Sequence, residues 1–151
     1  MRRSGQPLQA AADWWRYAED LEQDGVFLMA DLLLWLYLAN SVLLINHEID
    51  SAYWKEWELF KLPGGITGFL LLHFPLLLFI FYGLILVSRH SASGFIFSLI
   101  LCFGGIFAFV IHTYFLRKGR SEFNKPLSKF ILVATLFVSI IQLVVTLYLM
   151  I

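Results

Sequence analysis

The chain has 151 residues, 60% of them hydrophobic and 15% charged, with no formal net charge at pH 7. This balance is the reverse of a soluble domain's and offers no basic surface for nucleic acid. The length suits one small domain, and four long apolar runs leave no room in it for a separate soluble catalytic domain.

Residues 9–23 carry Trp14, Trp15, Tyr17 and Leu21 between acidic positions. This pattern predicts a short amphipathic helix closed by Gly25 and lying along the membrane surface, where Trp and Tyr favour the headgroup level. Asp13, Glu19, Asp20, Glu22 and Asp24 precede any apolar stretch, so residues 1–25 do not read as a signal peptide. They are expected to form a tail and interfacial helix ahead of a membrane domain over 26–151.

The first apolar run covers 26–45, with Asp31 near its start and Asn40 in its second half. A hydrocarbon core of about 30 Å takes about 20 helical residues at ~1.5 Å each, which this run and the three that follow supply. It leads into Asn46-His47-Glu48-Ile49-Asp50-Ser51-Ala52-Tyr53-Trp54-Lys55-Glu56-Trp57-Glu58-Leu59-Phe60, dense in aromatics and carboxylates and ended by Pro63-Gly64-Gly65. If helical throughout, this stretch sets Asn40, His47, Ser51, Trp54 and Glu58 along one stripe. Its aromatic residues read as an interfacial belt.

The second run, 66–87, holds His73 two residues before Pro75, where a kink is expected. A short turn at 88–93 makes the second and third runs antiparallel neighbours. The third run, 94–116, aligns Gly94, Ser98, Cys102, Gly105 and Ala108 with His112 on one face, and small residues there let another helix approach closely. A lone cysteine excludes both a disulfide framework and a thiolate cluster within one chain. After the basic loop 117–129, the fourth run, 130–151, continues a polar stripe of Ser128, Thr135, Ser139, Gln142 and Thr146. The expected fold is all-α: an antiparallel four-helix transmembrane bundle with an N-terminal amphipathic interfacial helix.

The loop from Asn46 to Phe60, with Pro63-Gly64-Gly65 and Leu72-His73-Phe74-Pro75, resembles a family of small bacterial integral membrane proteins known only as a domain of unknown function. The resemblance covers residues 27–151. It implies four spans and adds no reaction. A second family of small membrane proteins carries a His-x-x-Glu-Glu signature, which the residues after His47 do not fit.

Lys55, Lys61, Arg117, Lys118, Arg120, Lys125 and Lys129 fall on one side of the four runs, against Arg2, Arg3, Arg16 and Arg89 on the other. The positive-inside rule then places both larger loops in the cytoplasm of a bacterial inner membrane. His47, His73 and His112 belong to that same side, at depths agreeing within about a dozen Å at ~1.5 Å per residue. Ionisable groups at such depth usually face the bundle interior, which marks a candidate site.

Three imidazoles with a carboxylate match a zinc or non-haem iron ligand set, with Glu48 as general base and Asn40, Asp50 and Thr135 as supporting polar groups. Two histidines at matched depth also suit a haem clamped between helices. The other readings are a non-catalytic membrane subunit or lipid-organising partner with structural histidines and, third, a small transporter. The lipid bilayer is the expected partner in every case, with a second copy or another membrane protein as further candidates.

Overall fold

The computed structural model describes residues 6–119 and 124–151, except for the side chains of 6–15, 17 and 18. Trp14, Trp15, Tyr17 and Arg120 therefore lie outside the described side chains. Among the described residues five helices follow one another: α1 (Gln6–Tyr53), α2 (Glu56–Leu59), α3 (Gly65–Ser88), α4 (Ala92–Arg117) and α5 (Pro126–Met150). Four of them are long and apolar enough to cross a membrane, and the large hydrophobic side chains left exposed on their outer faces suit contact with lipid. The fold is an all-helical bundle of a multi-pass membrane protein.

The expected spans agree with α3, α4 and α5 to within a few residues, whereas α1 differs at both ends. Gly25 does not close a helix. It keeps helical backbone instead of the left-handed conformation that ends helices, so the amphipathic segment and the first span form one 48-residue rod. A glycine inside a helix costs only about 1 kcal/mol relative to alanine, too little to stop a helix with good formers on both sides. At ~1.5 Å per residue the rod is about 72 Å long, more than twice a bilayer's hydrocarbon core. Residues 19–28 are exposed, and Val26 and Phe27 at the end of this stretch line a pocket with Val87, His90 and Phe95 beside the α3–α4 turn.

At the other end no glycine or proline interrupts the chain between Ile45 and Tyr53, so α1 carries His47 and Glu48 out beyond the apolar run. Lys55 then takes a left-handed conformation at φ 55° and starts the one-turn helix α2. Gly64 and Gly65, at φ 91° and 57°, turn the chain into α3. Ser91 caps α4 by accepting from the Gly94 amide at 3.2 Å, closing the tight α3–α4 turn. Proline at the start of α5 fits a position whose amide has no helical partner.

In the bundle α5 packs against both α1 and α4, while α3 lies against α1 and α4. The seam between α1, α4 and α5 is a buried polar ladder. Asn40 Nδ2 donates to Gln142 Oε1 at 2.8 Å and to Ser139 Oγ at 3.1 Å, Gln142 Nε2 donates to Ser98 Oγ at 2.8 Å, and Ser98 meets Thr146 at 2.7 Å. In lipid such pairs hold helices together where the hydrophobic effect supplies no drive. Tyr37 ties α1 to α3 by donating to the Ile80 carbonyl at 3.0 Å.

Gly105 brings α4 against α5: a Cβ there would collide with Ser139 Oγ and stand 3.0 Å from Thr135 Cγ2. Gly105→Val is expected to destabilise the bundle by about 1–3 kcal/mol through overpacking, read as a lowered midpoint in detergent unfolding. Its neighbour Gly104 would meet nothing within 4 Å, and Gly104→Ala should raise that midpoint slightly, by up to about 1 kcal/mol of helix propensity.

Candidate metal centre

The end of the bundle that carries the α1–α3 and α4–α5 connections gathers three histidines and two glutamates. His47 and Glu48 come from the last turns of α1, Glu56 from α2, His73 from the early part of α3 and His112 from near the end of α4. His47, Glu56 and His112 are buried, with 4%, 6% and 2% of their surfaces exposed.

Lys55 is what brings Glu56 inward. Had the helix run straight on, the stripe of Asn40, His47 and Ser51 would have continued to Trp54 and Glu58. The left-handed residue resets the phase, so that Glu58 is exposed and Glu56 faces His112. The connection is held down on α3 by Trp57, whose ring lies 5.4 Å from that of Phe69. It is also held by Gly68, where a Cβ would collide with the Pro63 carbonyl.

His112 Nδ1 donates to the Ala108 carbonyl at 2.7 Å, and its Nε2 faces Glu56 Oε1 in a close ion pair. His73 repeats the arrangement: Nδ1 donates to the Phe69 carbonyl at 2.6 Å and Nε2 meets Glu48 Oε2 at 2.7 Å. A ring that donates through Nδ1 to a carbonyl keeps Nε2 for its functional partner, the tautomer control seen behind metal-ligating histidines. The His47 ring meets His112 edge to face, with centroids 4.5 Å apart.

One ligand atom from each of His47, Glu56 and His112 lies within 4.8 Å of the others. Three ligands at about 2.0–2.2 Å from one zinc stand roughly 3.3 Å apart in a tetrahedral shell, so small side-chain rotations close the set. Burial raises the Glu56 carboxyl pKa, but the hydrogen bond and charge of His112 outweigh it, and the group ends below the ordinary carboxylate value.

Residues 33–149 match the model of a family of unknown function (DUF6713). The chain belongs to that family. No curated protein and no solved structure matches the chain. The DUF6713 segment begins in the apolar part of α1 at Leu33, so it contains the polar ladder and all five His and Glu side chains. It leaves out the N-terminal extension of α1.

Within the DUF6713 segment the residues read from the sequence divide into two groups. His47, Glu48, His73 and His112 line one cavity of about 400 Å³, together with Glu56, which the sequence did not single out. His73 stands outside the three-ligand cluster and pairs with Glu48 instead.

Asn40 and Thr135 were expected beside the site and lie elsewhere. Asn40 is a rung of the ladder, and Thr135 turns its hydroxyl to the Ile131 carbonyl at 2.8 Å with its methyl toward Gly105. Asn40 precedes His47 by seven residues, and Thr135 packs at Gly105, seven residues before His112, so both lie about 10 Å along the bundle from those two histidines, on its α5 side. Asp50 is half-buried and does not line the cavity. His73 bonds the carbonyl four residues back, not the Leu71 carbonyl that Pro75 releases. The 4.5 Å approach of the His47 and His112 rings leaves no slot for a porphyrin between that pair.

Proposed function

We propose that His47, Glu56 and His112 hold a divalent transition metal, zinc or iron, and that the protein acts through it on a lipid-soluble substrate. The observation that carries this reading is the convergence of two imidazoles and one carboxylate, all buried, at the end of a cavity that is otherwise apolar apart from Glu48 and His73. Two histidines and a glutamate form a catalytic zinc set with a position left for water or substrate, and equally the facial set of non-haem iron. A cation bound there supplies Lewis acidity toward a substrate oxygen. Glu48, steadied by His73 in the same cavity, is the base that accepts a proton from the reacting water.

The excess of Lys and Arg in the loops at this end supports a cytoplasmic orientation for the site. One observation favours a second reading, that of a non-catalytic subunit. The His112–Glu56 and His73–Glu48 pairs also satisfy one another without a cation, clasping α4 to α2 and α3 to α1.

Elemental analysis of the detergent-purified protein, before and after chelation and add-back, separates the two. The metal reading expects about one zinc or iron per chain, removed by chelator and restored by the ion. A protein that stays metal-free after add-back is a clasped structural bundle.

A further inference from the structure

The cavity reaches well beyond the histidines, between α3 and α4, and two neighbouring glycines of α4 help to shape it. At the turn end α3 and α4 are tightly joined. A Cβ on Gly94 would stand 2.8 Å from the Leu86 carbonyl, and one on Gly83 would stand 2.8 Å from the Phe97 ring, itself stacked on Phe79 at 4.4 Å between centroids. Past Phe97 a cavity opens between the two helices, lined by Leu76 and Ile80 of α3 and by Ile100 and Gly104 of α4. Gly105 faces α5 in close contact, whereas Gly104 faces open space.

The opening runs along α4 from Ile100 to His112, about 18 Å of helix at ~1.5 Å per residue. Its rim residues Leu72, Leu76, Ile100, Gly104 and Phe107 are exposed on the outer face of the bundle, where lipid lies. Polar groups occur only at the far end, where the His and Glu side chains stand. The volume of about 400 Å³ is within the range of about 300–1,000 Å³ of small-molecule sites. It takes on the order of a dozen methylene groups if each fills about the ~30 Å³ of a liquid water.

We infer that this groove binds the hydrocarbon chain of a single-chain membrane amphiphile, which enters sideways from the bilayer between α3 and α4 and sets an oxygen-bearing head group against the His–Glu cluster. The placement of the head rests on the metal reading. The tail site stands on the groove alone. A wall that is apolar along its length and polar at one end matches an amphiphile in both chemistry and direction. A wholly apolar guest would leave the carboxylates facing hydrocarbon, and a small polar one would leave the groove unfilled.

The test is photolabelling of the full chain in lipid nanodiscs with palmitic acid carrying a mid-chain diazirine, adducts being mapped by peptide mass spectrometry and metal content measured on the same samples. The inference expects adducts concentrated on the facing walls around Leu76, Ile100 and Phe107. It expects at least a tenfold loss of them in Gly104→Leu and, from the opposite wall, in Leu76→Trp, with Gly104→Ala close to wild type and metal content unchanged in Gly104→Leu. Adducts spread evenly over the outward faces of all spans, including Phe130 and Phe137 of α5, and indifferent to both blocking substitutions overturn it. Groove labelling in a protein that takes up no metal defeats the metal reading and keeps the tail site. Full metal content with no groove labelling does the reverse.

Discussion

Glu56→Gln is expected to empty the metal centre while leaving the bundle folded. Glutamine keeps the length of the side chain and can still bond His112, but it carries no charge, and a carboxamide is a poor ligand for zinc or iron. Glu56 is the only carboxylate in the three-residue cluster. Without it two imidazoles remain, and the drop in affinity should exceed the ~10–100-fold that follows loss of an outer partner. Cobalt titration followed by visible absorption, compared with Glu48→Gln, gives the measurement. Glu48→Gln should retain the metal and lose turnover once a substrate is known. If Glu56→Gln binds as tightly as wild type, Glu48 is the carboxylate ligand and the roles assigned to the two glutamates are exchanged.

His112→Ala should have the largest combined effect, on metal content and on stability together. The substitution removes one ligand and strands a glutamate that is only 7% exposed on its side chain. Removing one member of a buried pair costs about 3–5 kcal/mol because the other charge is left unpaired. His73→Ala is the matched control: its partner Glu48 is 28% exposed and can turn to water, so the bundle should lose far less stability and keep its metal. Thermal unfolding in detergent at fixed protein concentration, with elemental analysis of each variant, reads both effects. Equal losses of metal in the two variants would place His73 in the ligand set.

The architecture was open to reading from the sequence because membrane spans are set by length and apolarity alone. One rail of the interhelical ladder was visible too: Ser139, Gln142 and Thr146 recur at helical spacing on α5, and polar side chains in lipid have little choice but to face a neighbouring helix. His47, His73 and His112 were placed at one end by counting residues from the ends of the runs.

What could not be read was phase. Four carboxylates, Glu48, Asp50, Glu56 and Glu58, lie within eleven residues of sequence, and which of them faces inward depends on where α1 ends. A single left-handed lysine decides this, and lysine has no preference for that conformation that would betray it. Asn40 and Thr135 escaped the same way: both lie about two helical turns from His47 and His112, at the level of Gly105 and against α5, a placement that only the packing of α5 reveals. Gly104 and Gly105 are alike in sequence, and only the packing of α5 shows that one closes an interface and the other opens a groove.

X-ray absorption at the metal edge of the wild-type protein reads the ligand set itself. A centre held by His47, Glu56 and His112 gives a shell of nitrogen and oxygen at about 2.0–2.2 Å with the outer-shell scattering of two imidazoles and no sulfur. An all-oxygen shell, or one containing Cys102 sulfur at about 2.3 Å, would contradict that ligand set.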